Sequence, residues 1–516
     1  EPGKDPASGN GTGAIAHLRA HRMRAVFGTR AARINEDEPI VTHVFRTPAH
    51  RAVRLLRRRR GEATSCFSIV INSCARTIAS EFAKQPRKRA SMTSNSEYTE
   101  AYLRIIADLN GDVDGRRSAH AYMKSSTAIV HHRVVDCSYL PRLFNQATYD
   151  VMKETAETAH RILCKVIERY LDDPGYRRVF DFDPRLAELI LLPRDYDALL
   201  PFARVDTFIN EDDYQVKFCE FNGDGSSGMN ENREITNSVK NSPAFLEFAK
   251  AHRLAGCDLF EPWVEKFLAI YDTYRFKVGH PRIAICDYLE NGEQINAIWR
   301  RCVTNDVIEH WDDSQDLIEA VRARKVALIG SFAGHIVHDK QIFEVLFKPE
   351  TKALLSTEEN DFIERTVPRT TFLDSTQIDL DHVRSEKDTW IIKPSDHYGA
   401  DQVYAGCEVD QAPWETLVDR FADGAAGYPF IVQQYIKPFK TETLPPDTNI
   451  AELSDDEVRV EPMFYNNLNG LYLYDGVFQG VFSRLGPLPT ISKENQGMTA
   501  ATIWVDADVH DGIELA

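Results

Sequence analysis

The sequence predicts an α/β or α+β protein with several sheets, and three stretches carry that reading. Val151, Ala156, Ala159, Leu163, Val166 and Tyr170 recur close to a helical period. Two strand-like runs at 202–209 and 214–221 flank the polar turn Asn210 to Asp213, which predicts a hairpin. From about Ser356 to Tyr435 strand and helix signals alternate, and aromatic-rich strands follow at about 470–485.

In chain order, residues 1–95 stand apart. They mix Gly, Pro and Ser with Arg57 to Arg60 and the cluster Arg87-Lys88-Arg89, and no period holds for long. MTSNSEYTEAYLRII, from Met92, reads as a fresh chain start, so 1–95 is expected to be a basic, disordered arm foreign to the fold. Residues 96–200 read as mainly helical, with Asp172-Asp173-Pro174-Gly175 stopping the long helix. Residues 201–355 hold the hairpin, a helical stretch after Ser242 and apolar strands at 282–286 and 326–330. Residues 356–440 form the alternating region, and 441–516 the closing strands. No internal repeat is visible.

The 516 residues carry a net charge of −17, unevenly spread. The first 91 residues hold eighteen basic against seven acidic side chains, so the remainder is close to −28. An acidic body argues against general nucleic-acid binding, which is left to the basic arm alone. The nine cysteines show no metal-type spacing, and their number and scatter fit reduced thiols in a cytoplasmic setting. No apolar run approaches a membrane span of ~18–20 residues, and the patch from Cys66 to Ile71 is not expected to be a secretory signal. His131-His132 is expected to be structural or exposed, with no second ligand cluster near it in sequence.

The segment ARVDTFINEDDYQVKFCEFNGDGSSGMNE is the most informative. Alternation along a strand puts Arg204 and Asp206 on one face, and Glu220 and Asn222 on one face of the next strand. A hairpin can bring the two sets together. Two carboxylates and a carboxamide oxygen suit magnesium, which takes one or two carboxylates together with phosphate oxygens and water. An arginine beside them suits a phosphate or a developing oxyanion. The following GDGSSG offers backbone N–H groups and hydroxyls to an anion.

Downstream, TWIIKPSDHYGADQVYAG reads as a buried strand that delivers Lys393, then a loop from Ser395 to Gly399, then a second strand at Val403-Tyr404. Such a lysine can hold phosphates while loop N–H groups cover them. The order of residues matches neither a Walker A loop nor a Rossmann fingerprint. In YPFIVQQYIKP, an apolar strand turns into a linker at Gln433-Gln434-Tyr435-Ile436, where backbone groups can meet an adenine edge. HDKQIFEVL places Lys340 at the start of an amphipathic helix, a position that is usually solvent-facing.

Together these motifs resemble the circularly permuted ATP-grasp ligases, in particular the synthetase domain of the glutathionylspermidine and trypanothione synthetases. The R-x-D and E-x-N elements come first and the Lys-Pro loop later, as in the permuted family, and the resemblance covers roughly residues 97–516. It implies an ATP-grasp fold whose nucleotide lid is 356–440. It implies magnesium ligands at Asp206, Glu220 and Asn222, holding two ions. Arg204 would stabilise the transferring phosphoryl group, and Arg484, in VFSRLG, would lie near the nucleotide phosphates. ATP would be bound by Lys340, Lys393, Gly399 and the hinge Gln433, Gln434, Tyr435 and Ile436. Ser226 and Ser227 would approach the acid substrate. The loop SDHYGADQV has less glycine than the family pattern, GSSGM stands where the family often has proline, and the segment before Met92 is too short for, and unlike, the amidase domain fused in the bifunctional enzymes, which is not expected here.

The implied activity is an ATP-dependent carbon–nitrogen ligase. It would join a peptide-like acid to an amine or polyamine through an acyl phosphate and release ADP. The competing expectation is a catalytically silent ATP-grasp protein that binds nucleotide.

Overall fold

The computed structural model describes residues 93–130, 133–286, 295–397, 399–446, 450–458, 461–492, 495–510 and 512–515. The basic arm, up to residue 92, and His131-His132 lie outside the described residues. From Asn95 onward the described residues belong to one compact unit.

Helices Asn95–Asp108 and Val113–Ser125 come first, then the small hairpin β1 (Ile129–Val130) and β2 (Arg133–Val134), and β3 (Arg142–Phe144). The 27-residue helix Gln146–Asp172 follows; of its periodic positions Ala156, Ala159, Leu163, Val166 and Tyr170 are buried and Val151 is half-buried. Asn145 caps it, accepting from the Thr148 N–H at 2.9 Å and the Thr148 hydroxyl at 3.0 Å. At the far end the Asp173 side chain accepts from the Gly175 N–H, which turns the chain away.

The predicted hairpin is present as β4 (Phe202–Ile209) and β5 (Val216–Asn222). Helix Met229–Val239 is unannounced in the sequence, because MNENREITNSV has an apolar face of little more than Ile235 and Val239. The helix expected after Ser242 is Pro243–Ala249, with Ser242 as its cap. Then come β6 (Leu254–Cys257), helix Glu261–Thr273, and β7 (Ile283–Cys286), β8 (Ala297–Arg300) and β9 (Ala327–Ile329). Strands β7 to β9 form a parallel sheet, with helices Thr304–Glu309 and Gln315–Arg322 crossing over between β8 and β9.

The alternating region gives β10 (Thr370–Phe372), β11 (Trp390–Pro394), β12 (Tyr404–Ala405) and β13 (Phe430–Gln434), an antiparallel sheet in the order β10-β13-β11-β12. It has its own core of Leu373, Val383, Ile392, Trp414, Phe421 and Phe430. The Trp414 indole N–H donates to the Val383 carbonyl at 2.9 Å, as a buried indole requires. The chain closes with β14 (Lys440–Thr443), β15 (Met463–Tyr474), β16 (Val477–Gly486), β17 (Met498–Ala500), β18 (Thr502–Val505) and β19 (Gly512–Glu514).

The central sheet is antiparallel, β17-β16-β15-β4-β5, with β14 also on β15. It joins the hairpin to strands some 260 residues later, as in the register Gly470 opposite Asp206. One apolar cluster glues the long helix (Met152, Ile162, Val166) to this sheet (Val205, Phe221, Leu471, Val481). A fourth sheet, β19-β6-β18-β3, lies elsewhere in the unit. The molecule is thus a mixed α/β protein with several sheets. Among the described residues no helix is long and apolar enough to cross a membrane.

Asn145→Ala removes the acceptor for two buried donors at the start of the helix that backs the central sheet. It is expected to cost about 1–2 kcal/mol, read as a lower urea midpoint at unchanged slope. An unmoved midpoint would mean that packing alone fixes the helix end.

Candidate active site

Register builds the site. On β4 and β5, Arg204 lies opposite Asn222 and Asp206 opposite Glu220, so all four side chains share one face. The register shifts between Asp206 and Thr207: Thr207 faces Phe218, and Cys219 has no counterpart. This bulge falls one step past the site, so alternation holds across the four residues. On the other edge of β4, β15 sets Gly470 opposite Asp206. A Cβ at Gly470 would sit 2.7 Å from Arg204 Cδ and 2.9 Å from both Arg204 Nε and Asp206 Oδ1. Glycine there makes room for a charged pair.

That pair is a fork. Arg204 Nε donates to Asp206 Oδ1 at 2.8 Å and Nη2 to Oδ2 at 3.2 Å, and Arg484, from β16, also donates to Oδ2. Asp206 is 1% exposed. Burial pushes its carboxyl upward, but the two guanidinium groups outweigh burial and hold it below the usual carboxylate range. Burial likewise works against the Arg204 charge, and Asp206, Tyr472 and Glu220 more than offset it.

Glu220 has a different partner. Lys340 Nζ lies 3.3 Å from Glu220 Oε1 and also donates to the His397 carbonyl at 2.6 Å. Burial raises the Glu220 carboxyl, and Lys340, with smaller contributions from His338 and Lys393, brings it below its ordinary value. A lysine at such a position is usually solvent-facing, but Lys340 is not. It is buried between the helical turns His335–His338 and Ile342–Val345, because Glu220 and the His397 carbonyl compensate its ammonium. Lys393, delivered by β11, is buried as well and donates to Gln433 Oε1 at 2.9 Å, while Gln433 Nε2 donates to the Thr370 hydroxyl.

The other sequence-derived positions sit as follows. Gly399 is exposed in the loop after β11. At the hinge the N–H groups of Gln434 and Tyr435 donate to the Arg369 and Thr389 carbonyls, both at 2.8 Å, and Ile436 follows half-buried. Ser227 is tied in through its carbonyl, which accepts from Arg204 Nη1 and the Tyr472 hydroxyl, and the Ser226 carbonyl accepts from Arg301. The backbone of the GDGSSG turn, rather than its hydroxyls, is what the charged cluster holds.

The donor set fits a hard cation. Glu220 and Asn222 offer oxygens side by side on β5, and Asp206 would share oxygens already given to two arginines. Asn222 Nδ2 is buried with no hydrogen bond among the described residues, and a half-turn of the carboxamide puts its oxygen there instead. Arg484 Nε is buried and unpartnered too. Polar atoms denied both water and protein are ones a bound ligand satisfies.

A second charged cluster begins two residues past Asn222 and had no clear sequence signal. Asp224 accepts from Arg300 Nη2, from the Thr304 N–H and hydroxyl at 2.7 Å each, and from His335. His335 reaches Asp396 through its other nitrogen. Asp224 lies in the same segment as Glu220 and Asn222, whereas nothing in the local pattern around His335 marks it. A cavity of about 220 Å³ elsewhere, lined by Arg116, His120, Met123, Cys137 and Pro445 among others, shares no lining residue with either cluster.

No protein-family model and no curated protein matches the chain. Among solved structures it is similar to a glutathione synthetase-like effector, GSS30, from Globodera pallida in its apo form, at 8% identity and a TM-score of 0.46, covering 76% of this chain and 96% of that one.

Two outcomes are expected. Gly470→Ala forces the Arg204–Asp206 fork to move and should cost on the order of 1–3 kcal/mol of stability; a melting temperature equal to that of the unaltered protein would show that the fork has slack. The second concerns His335. Burial lowers its pKa, Asp396 and Asp224 raise it, and the balance is a rise to about 10. His338, Asp339, and Arg300 on Asp224 are further charged or titratable neighbours. A raised histidine pKa adds stability that is full below about pH 6.5, the unfolded value, and fades as pH climbs to about 10. The melting-temperature gap between the protein and His335→Gln should therefore be wider at pH 6 than at pH 9.5, and a gap that widens with pH would refute the charge assignment.

Proposed function

We propose that the chain is a magnesium- and ATP-dependent ligase that joins a carboxylate to an amine through an acyl phosphate, on a circularly permuted ATP-grasp scaffold similar to glutathionylspermidine synthetase. One observation carries the reading. Around the central sheet face stand four cations, Arg204, Arg484, Lys340 and Lys393, against two carboxylates, Asp206 and Glu220. Three of the four cations are buried. A surplus of two positive charges in a low-dielectric site is costly unless an anion of several charges completes it, and a nucleoside triphosphate is such an anion.

In this reading the γ-phosphoryl group of ATP passes to the substrate carboxylate, giving acyl phosphate and ADP. The amine then attacks the acyl carbon, the C–O bond to phosphate breaks, and the ammonium proton is lost. Lys393 and Lys340 hold phosphate oxygens, with Lys393 exchanging its Gln433 partner for the ligand. Arg204, oriented by Asp206, presents its remaining donors to the transferring group, so its effect is largest in the transition state. The chemistry a magnesium ion supplies when held by Asp206, Glu220 and Asn222 is neutralisation of phosphate charge. The strand end at Gln433 to Ile436 receives the adenine edge, and the turn at Ser226-Ser227 receives the acid. The substrates proposed are a peptide-like acid and an amine or polyamine. A second reading, nucleotide binding without turnover, draws on the double commitment of Asp206 to two arginines.

The test is ADP release across peptide acids crossed with amines, with Glu220→Ala and Lys393→Ala beside the unaltered protein. Glu220→Ala is expected to lose turnover on the order of 10²-fold or more, with a lowered melting temperature because buried Lys340 loses its carboxylate partner. Lys393→Ala is expected to weaken an ATP analogue in calorimetry. Near-normal turnover of Glu220→Ala at saturating magnesium overturns the ligase assignment. Analogue binding with no ADP from any pair selects the second reading.

A further inference from the structure

The second charged cluster has a place in the same machinery, on the ligase reading above. His335 is fully buried, and its Nδ1 lies 3.2 Å from Asp224 Oδ2 and its Nε2 3.0 Å from Asp396 Oδ2. Asp224 also accepts from Arg300 Nη2 and from the Thr304 N–H and hydroxyl, so both of its oxygens act as acceptors. A neutral imidazole has one N–H, and an ionised carboxylate only accepts. Two such contacts require a ring protonated on both nitrogens.

The two carboxylates belong to the two halves of the proposed site. Asp224 stands two residues after Asn222, and Asp396 three after Lys393. Each half is anchored on its own side. Arg300, at the end of β8, holds Asp224 and spends its other donors on the Gly330 and Cys302 carbonyls at 2.8 Å each. Asn305 donates to the Asp396 carbonyl at 2.9 Å. Beside them the backbones touch: a Cβ on Gly223 would come 2.6 Å from the Gly334 carbonyl, so both glycines are needed for the approach that sets Asp224 against His335. From His335 the chain runs along the Lys393 loop. The Ser395 hydroxyl donates to Asp339, the Lys340 N–H donates to the Ser395 carbonyl at 2.9 Å, and Lys340 Nζ reaches the His397 carbonyl.

We propose that His335 is a positioning residue whose imidazolium, donating from both nitrogens, ties the loop after Asn222 to the loop after Lys393 and so fixes the metal-side and phosphate-side halves of the site in register. His335, Asp339 and Asp396 also stand close enough to hold a metal ion, with ligand atoms within 4.8 Å of one another. A metal held there would have to displace a ring proton and break the contact with Asp224 or Asp396, so the clamp is the favoured role.

The experiment uses the full chain with His335→Ala, His335→Gln and Asp396→Asn. Hydrogen–deuterium exchange is followed in peptides covering Lys393 to His397, alongside the Kd of an ATP analogue with magnesium and the KM and kcat of turnover. His335→Ala is expected to speed exchange in those peptides by about tenfold and to weaken analogue binding and raise KM for ATP by a similar factor, with a smaller change in kcat. His335→Gln keeps donor hydrogens without the charge and should recover part of both. Two results overturn the clamp. One is exchange and KM that stay at the unaltered values in all three variants, even where melting temperature drops, which leaves the cluster as packing. The other is stoichiometric uptake of zinc or manganese by the unaltered protein that His335→Ala abolishes, which makes His335 a ligand. If His335→Ala does not fold, the other two variants carry the same readouts. Failure of the unaltered protein to bind the analogue sinks the ligase reading instead, and the exchange measurement still decides the clamp.

Discussion

The buried carboxylate of Asp206 is the constraint around which the central sheet is arranged. Removing an unpaired carboxylate from water costs several kcal/mol, and only close, well-oriented cations return it. Here the return comes from a fork on its own strand and a second guanidinium two strands away. The fork requires Arg204 and Asp206 to alternate on one face. The second guanidinium requires β16 to lie beyond β15, with Arg484 at the register that faces Leu468. The bare Cα at Gly470 gives the fork its volume. One charge thereby fixes the order β16-β15-β4 and the residue types at three positions on it.

The sheet β10-β13-β11-β12 meets this arrangement without a phosphate-loop motif. Lys393 is carried near the end of β11, held by Gln433 across the strand pair, and Gln433 is held in turn by Thr370 of β10. A neutral amide is a weak partner for a buried ammonium, weaker than a carboxylate. Lys393 is therefore the cation of the cluster most ready to accept a better anion. Lys340 is its opposite, already engaged with Glu220 and a carbonyl.

What the sequence revealed follows from what is local. Strand alternation and a short turn decide that Arg204, Asp206, Glu220 and Asn222 share a face, and both can be read within twenty residues. The bulge at Cys219 could have broken that reading, but it lies on the far side of Glu220. The long helix was legible for the same reason, since its periodic positions and its stop are contiguous. The partners of β4 were not legible, because β15 pairs with it across some 260 residues and no local period records a distant register. The burial of Lys340 was not legible, because a lysine on a short helix is usually solvated, whereas here a carboxylate from β5 makes its burial tolerable. His335 was invisible because its meaning lies in two carboxylates, more than 60 and 110 residues away in sequence.

The two charged clusters differ in a way that sorts their roles. Arg300, Asp224, His335 and Asp396 alternate in sign, two positive and two negative, and every link is a hydrogen bond within the protein. Such a chain has no net charge to offer a ligand, and the like-charged carboxyl nearest it, Asp339, is pushed up to about 6 by burial and by Asp396. The cluster on the central sheet does not close in this way. Its cations outnumber its carboxylates, its guanidinium Nε on Arg484 and its amide on Asn222 lack partners among the described residues, and its most weakly held lysine rests on an amide. A chain of charges paired within the protein can hold two loops in place, with Asp396 Oδ1 its one buried atom that lacks a partner among the described residues. An unsatisfied one gains most from a partner it does not contain, and the fold sets the two side by side through the two glycine backbones at 223 and 334.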